Sequence, residues 1–229
     1  MCGRFTQERP NAELAALFAA ELRVDDADGR FNIAPTQQAS VVLIDPDEGG
    51  RVLTAFRWGL IPSWAKDARI GSRLINARAE TVAATPAFRA SFRRRRCLVP
   101  ADGFYEWQRL PGSRQPYAIR PADGTPLAFA GLWSPWRDPA LPDRPEPLRT
   151  FTIVTTTPND LMAALHNRMP VVLPPAAWDR WLDPTLEDPA ELQGLLVPCP
   201  SERLLAYPIA NVVNSVRNQG PALIVPLEG

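Results

Sequence analysis

The stretch "CLVPADGFYEWQ" occupies residues 97–108. Its β-branched and aromatic residues predict extended chain. In a strand, side chains alternate between faces, so Tyr105 and Trp107 lie opposite Glu106. Similar runs recur on both sides: "SVVLID" (40–45), "RVLTAFRWG" (51–59), "QPYAIRP" (115–121), "PLAFAGLWS" (126–134), "TFTIVTT" (150–156) and "LLAYPI" (204–209). Each is bounded by Gly, Pro or Asp. Helical patterns are fewer. "PNAELAALFAAEL" (10–22) predicts a helix capped by Asn11, with Leu14, Leu17, Phe18 and Leu22 as its apolar stripe. A second is predicted at 158–168, capped by Thr157, with Pro158 first and Leu161, Met162 and Leu165 facing inward. It must stop before Pro170. Shorter helical patches fall at 176–182 and near 187–196, and 138–147 reads as an exposed loop. Strands predominate and helices do not alternate regularly with them. The expected class is α+β, with a mixed, barrel-like sheet core and a few flanking helices, rather than a doubly wound sheet.

The chain has 229 residues, 45% hydrophobic and 22% charged, an ordinary globular composition. No apolar run approaches the ~20 residues of a membrane span, and "MCGRFTQERPN" lacks the pattern of a signal peptide. A cytoplasmic location is expected. Cys2, Cys97 and Cys199 make no disulfide framework and no C-x-x-C pair, and one histidine disfavours a zinc site of the usual kind. Net charge is zero, so no global field draws the chain to nucleic acid. All basic residues but Lys66 are arginine, the residue suited to bidentate phosphate contacts.

Several residues stand out as chemical candidates. Cys2 lies where a chain is usually frayed, a poor place for a structural cysteine. With Met1 removed, it becomes a 1,2-aminothiol whose α-amine has a reference pKa of ~7.7–8.0. Such an amine attacks an aldehyde, and the adjacent thiol then closes a five-membered ring. The bland alternative is a chance cysteine near a start codon. His166, the sole histidine, falls in the last turn predicted for 158–168, where the helix terminus favours its protonated form. Glu106, flanked by aromatics, suits proton transfer if poorly solvated; otherwise it is a solvent-facing strand residue. Asn76 and Arg78 in "LINARAET" (74–81) share one side of an extended segment and suit a sugar-phosphate grip. In "RWGLIPSWAKD" (57–67), Trp58 reads as core, and Trp64 reads equally as core or as a platform for an unpaired base. "RASFRRRRC" (89–97) is either a solvated charged face or an electrostatic path toward the Glu106 segment.

Taken together, "MCGRF", "FNIAPTQ", "RWGLIPSWAKD", "NARAET", "CLVPADGFYEW", "FAGLW", "FTIVTT" and "HNRMP" occur in this order. The chain resembles the SRAP family, the SOS-response-associated peptidases that process abasic sites, from residue 2 to about 218. The resemblance implies one SRAP-type domain over 2–229, with Met1 removed. It implies a covalent thiazolidine between Cys2 and an abasic site in single-stranded DNA. Asn76 would then orient the opened sugar, Glu106 would shuttle protons for Schiff-base formation, and His166 would protonate the sugar oxygen. DNA contacts would fall on Arg4, Arg78 and Arg168, with Trp64 near the bases, Thr155 near the site, and Asn32 and Pro35 in its wall. No metal, cofactor or membrane is implied, and a monomer is the default. The location is cytoplasmic, nucleoid-associated when bound to DNA. Two further readings stay open: an N-terminal-cysteine peptidase or amidase that removes its own Met1, and a non-covalent single-strand binder.

Overall fold

The computed structural model describes residues 2–26, 29–141, 143 and 145–227. Met1, whose removal the reading above requires, lies outside them, as do Pro142 and Arg144 of the loop at 138–147. Five strands close a barrel: β4 (Gln38–Ile44), β5 (Arg51–Trp58), β7 (Arg96–Ala101), β10 (Leu127–Trp136) and β11 (Leu148–Thr156). The pairs β5–β4, β4–β7, β7–β10 and β10–β11 are antiparallel, and β11 returns to β5 in parallel. An odd ring cannot alternate direction all the way round, so closure requires a parallel pair. The mixed, barrel-like sheet expected from the sequence is therefore present.

Alternation explains why these strands read as apolar on both faces. Val41, Leu43, Val99, Phe129 and Ile153 belong to one buried cluster. Their neighbours Val42, Leu98, Ala128, Ala130 and Val154 belong to a second, with Leu14, Phe18, Phe92, Trp181 and Leu192 of the short helices. These helices include α1 (Asn11–Leu17), α2 (Arg89–Arg94), α4 (Trp178–Leu182) and α5 (Pro189–Gly194).

A second sheet runs in the order β13 (Leu204–Pro208), β9 (Ser113–Pro121), β8 (Gly103–Leu110), β1 (Phe5–Gln7) and β3 (Arg30–Ile33). The N-terminal strand thus lies inside a sheet, between β8 and β3. Phe5 is fully buried, edge-on to Trp58 at 5.1 Å and to Phe129 at 6.3 Å between ring centroids. It pins the start of the chain to the barrel. Phe5→Ala is expected to cost about 3–5 kcal/mol, the usual range for a buried phenylalanine, measured by urea denaturation.

Four expectations need correction. The 97–108 run is not one strand: it breaks at Asp102, where the chain passes from β7 in the barrel to β8 in the second sheet. The buried Asp102 carboxylate accepts bonds from the backbone N–H groups of Glu8 (2.6 Å) and Arg9 (3.2 Å). Gly103 follows because a Cβ there would lie 2.8 Å from the Ile119 carbonyl oxygen. Helix α1 ends well before Leu22: Ala19 adopts φ +50°, and Glu21–Leu22 pairs in parallel with Val52–Leu53 as β2. Asn11 is not its cap; Pro10 is, and the Asn11 amide instead bonds the Asp25 carbonyl and the Ser40 hydroxyl. The helix expected at 158–168 is a single turn, α3 (Asp160–Ala163), capped by Asn159 rather than Thr157.

Candidate active site

Three segments pack around the buried cluster that holds Cys2. In the β1–β8 pairing, Phe5 faces Phe104 and Thr6 faces Gly103. The Tyr105 N–H donates to the Arg4 carbonyl at 3.0 Å. The charge of Glu106, two residues beyond Phe104 on β8, reaches the Cys2 thiol. Cys2 is 0% exposed and belongs to the cluster holding Phe5, Trp58, Ile153, Met162 and Met169. Its thiol lies 3.9 Å from the Arg4 carbonyl oxygen. Burial pushes the thiol far above its ordinary pKa, and the charge of Glu106 adds to the effect. The thiol is therefore held protonated.

Glu106 is 3% exposed, and burial pushes its carboxyl up to about 7. A group titrating there both gives and takes protons near neutral pH.

The second segment is β6 (Asn76–Arg78), which pairs in parallel with Ile153–Thr155 at the end of β11. The Ile75 carbonyl accepts bonds from the Trp58 indole (2.9 Å) and from the Asn76 amide (3.0 Å). Phe5, Trp58 and Ile75 thereby tie Asn76 to the N-terminal strand. The Asn76 side-chain oxygen is buried with no hydrogen-bond partner among the described residues. Such an acceptor is costly to leave unpaired, which marks it as free to engage a substrate hydroxyl.

The third segment follows α3. The Arg168 backbone N–H donates to His166 Nδ1 at 3.0 Å, so the neutral ring carries its proton on Nε2. The Gln108 amide donates to the Ala164 carbonyl at 3.2 Å and ties this turn to β8. His166 was expected in its protonated form at a helix terminus. The structure reverses that: the helix ends earlier, and burial foremost lowers the His166 pKa. His166 is a neutral donor through Nε2.

The other candidates divide. Arg78 is exposed beside Asn76, and Thr155 is buried opposite it on β11. Arg168 reaches the Thr155 carbonyl at 2.6 Å, so these three share the end of β11. Arg4 and Asn32 lie in a supporting layer. Arg4 donates to Asn32 Oδ1 (2.7 Å) and to the Val213 carbonyl (2.9 Å), and its guanidinium lies 5.8 Å from the Trp107 ring centroid. Asn32 is fully buried, and its amide nitrogen donates to carbonyls of Val213, Ser215 and Asn218. Pro35 is half-buried in the turn after β3. Trp64 is 60% exposed, in a separate depression of about 150 Å³ with Arg89, Ser91 and Arg95.

The arginine run is not a continuous charged path. Arg96 points inward, and its guanidinium donates to carbonyls of Phe92, Arg93, Trp181, Asp183 and Leu186. Sequence reading also missed Glu80, which holds Arg168, and the amides of Asn214 and Gln219, which bond Trp107 and the edge of β3. The amide-rich run "NVVNSVRNQG" (211–220) was the available signal for the last two.

The family described as SOS response associated peptidase (SRAP) matches residues 1–216. The chain belongs to the SRAP family. The abasic site processing protein YoqW of Bacillus subtilis is 41% identical to this SRAP protein over 227 residues, 98% of this chain and 99% of that one. The abasic site processing protein HMCES of Gallus gallus is 33% identical, covering 86% of this chain and 66% of that one. A crystal structure of a protein from Bacteroides thetaiotaomicron shares the SRAP fold with a TM-score of 0.88 at 27% identity. It spans 99% of this chain and 100% of that one.

Proposed function

We propose that this SRAP protein captures abasic sites in single-stranded DNA as a covalent thiazolidine on Cys2. The observation that carries the reading is Cys2, fully buried just ahead of the inner strand β1, under the charge of a Glu106 that titrates near 7. The DNA-damage role is supported by relatives named abasic site processing proteins.

The protonation states suggest an order of events. His166 donates a hydrogen bond through Nε2 to the ring oxygen of the abasic sugar, and that oxygen takes the proton of the hemiacetal hydroxyl as the ring opens to the aldehyde. Asn76 Oδ1 accepts from a hydroxyl of the opened sugar. The thiol is protonated, so the mature α-amine of Cys2 attacks first. Protonated Glu106 gives its proton to the leaving hydroxyl, water departs, and a Schiff base remains. The carboxylate of Glu106 then takes the thiol proton, sulfur adds to the imine carbon, and the proton passes to nitrogen. One water is lost in all.

An unpaired strand suits this chemistry because no opposing base must be expelled to expose the sugar. Arg78 and Arg168 are the phosphate contacts in this reading, with Trp64 against a neighbouring base. Peptidase action is less well supported: a thiol hydrolase attacks as thiolate, and burial holds the Cys2 thiol protonated.

Two oligonucleotides test the proposal, one with a natural abasic site and one with a tetrahydrofuran analogue that cannot open. A denaturing gel should show an adduct with the first and none with the second. Equal reversible binding to both without an adduct would place the protein among non-covalent binders.

A further inference from the structure

Arg168 carries a two-oxygen anion already. Its Nη1 and Nη2 donate to Oε1 and Oε2 of Glu80 at 2.6 and 3.0 Å. The carboxylate lies on the solvent side: the Glu80 side chain is 47% exposed, that of Arg168 15%. Arg78, two residues before Glu80, also acts electrostatically on this carboxylate, which the Arg168 bonds foremost hold below its usual pKa. Glu80 is placed there by the chain that follows β6, where the Ala79 N–H bonds the Thr155 carbonyl at 2.9 Å. A guanidinium fork accepts carboxylate and phosphate in the same planar, paired geometry. The carboxylate side of the pair is open to solvent, so a competing anion can reach the same fork.

We propose that Glu80 occupies the seat of a DNA backbone phosphate over Arg168 and is displaced by that phosphate, which makes it a specificity-determining residue. The inference rests on the abasic-strand reading for the identity of the polyanion. A strand held only by its backbone must compete with the carboxylate and leaves readily. A strand captured covalently no longer depends on reversible affinity. Glu80 therefore widens the margin between lesion capture and retention on undamaged DNA.

The test uses an undamaged single-stranded oligonucleotide, which cannot crosslink, with binding followed by fluorescence anisotropy across a salt series. Glu80→Gln keeps the shape and removes the charge. Its affinity should rise several-fold at low salt, and the slope of log affinity against log salt should steepen by about 0.7, the share of one phosphate on a single strand. Unchanged or weaker binding would overturn the proposal, because it would mean that Glu80 serves only to brace Arg168. Glu191→Gln removes the same charge from a pair with Arg180; an equal gain there would reduce the effect to net charge and overturn it too. The gain should vanish when Arg168→Gln is added to Glu80→Gln, and a gain that persists would remove Arg168 from the account. Glu80→Asp keeps the charge at shorter reach and should bind between the wild type and Glu80→Gln; tighter binding than Glu80→Gln would count against displacement. A gain in affinity in a protein that forms no adduct would refute the crosslinking reading and still support this one.

Discussion

Cys2→Ala is expected to form no adduct that survives denaturation, against near-complete capture by the wild type. Alanine is small enough to allow the same removal of Met1, so the α-amine remains. What disappears is the second nucleophile. A Schiff base alone hydrolyses, whereas the neighbouring thiol acts intramolecularly at an effective concentration of order 10⁵ M or more. The variant should still be trapped by borohydride, which reduces the imine to a stable amine. The wild-type adduct, once closed to the ring, should not need reduction to persist. A denaturation-stable adduct of Cys2→Ala without borohydride would remove the thiol from the mechanism. Side-chain volume is a lesser concern: the site is buried, but a cysteine-to-alanine change removes one atom.

The second large effect is at Glu106. Glu106→Gln keeps the size and loses the proton transfer, and a positioned acid–base group contributes typically ~10²–10⁴-fold. Adduct formation should slow by about that factor at pH 7, while affinity for undamaged single strands should not change. The same substitution has a stability signature with a definite sign. The folded protein holds the Glu106 proton up to about 7, the unfolded chain only to the ordinary glutamate value of 4.5. Between those values the folded state binds more protons, so wild-type stability falls as pH rises from 4.5 to 7. The gap corresponds to about 3 kcal/mol. Glu106→Gln lacks this loss and should gain on the wild type by that order across the window, measured by urea denaturation at each pH. A parallel pH dependence in both proteins would mean that Glu106 is solvated and would take the proton shuttle with it.

Much of the barrel was legible because burial on both faces leaves a local trace. β7 and β10 read as unbroken apolar runs, and "TFTIVTT" announced β11. What failed depended on partners distant in sequence. Nothing near Asp102 says that the backbone of Glu8 and Arg9 will claim its carboxylate and turn one run into two strands. Nothing in "PNAELAALFAAEL" forecasts that residues 21–22 will pair with β5. The four-arginine run looks like surface until Arg96 finds carbonyls contributed largely by residues 181–186.

The candidate site shows the same division. Cys2, Asn76, Glu106 and His166 were nameable from chemistry and family motifs, yet their protonation states were not. Those follow from burial and from the bond to His166 Nδ1, which only the folded turn supplies. Glu80 went unnoticed because its meaning lies wholly in Arg168, 88 residues away.

The most direct test of the central claim is the intact mass of the purified protein before and after mixing with an abasic single-stranded oligonucleotide. The account predicts a starting mass lacking Met1 and an adduct equal to protein plus DNA minus one water, absent with Cys2→Ala. A protein that keeps Met1 and still forms the adduct, or one that loses Met1 and forms none, would contradict the aminothiol mechanism.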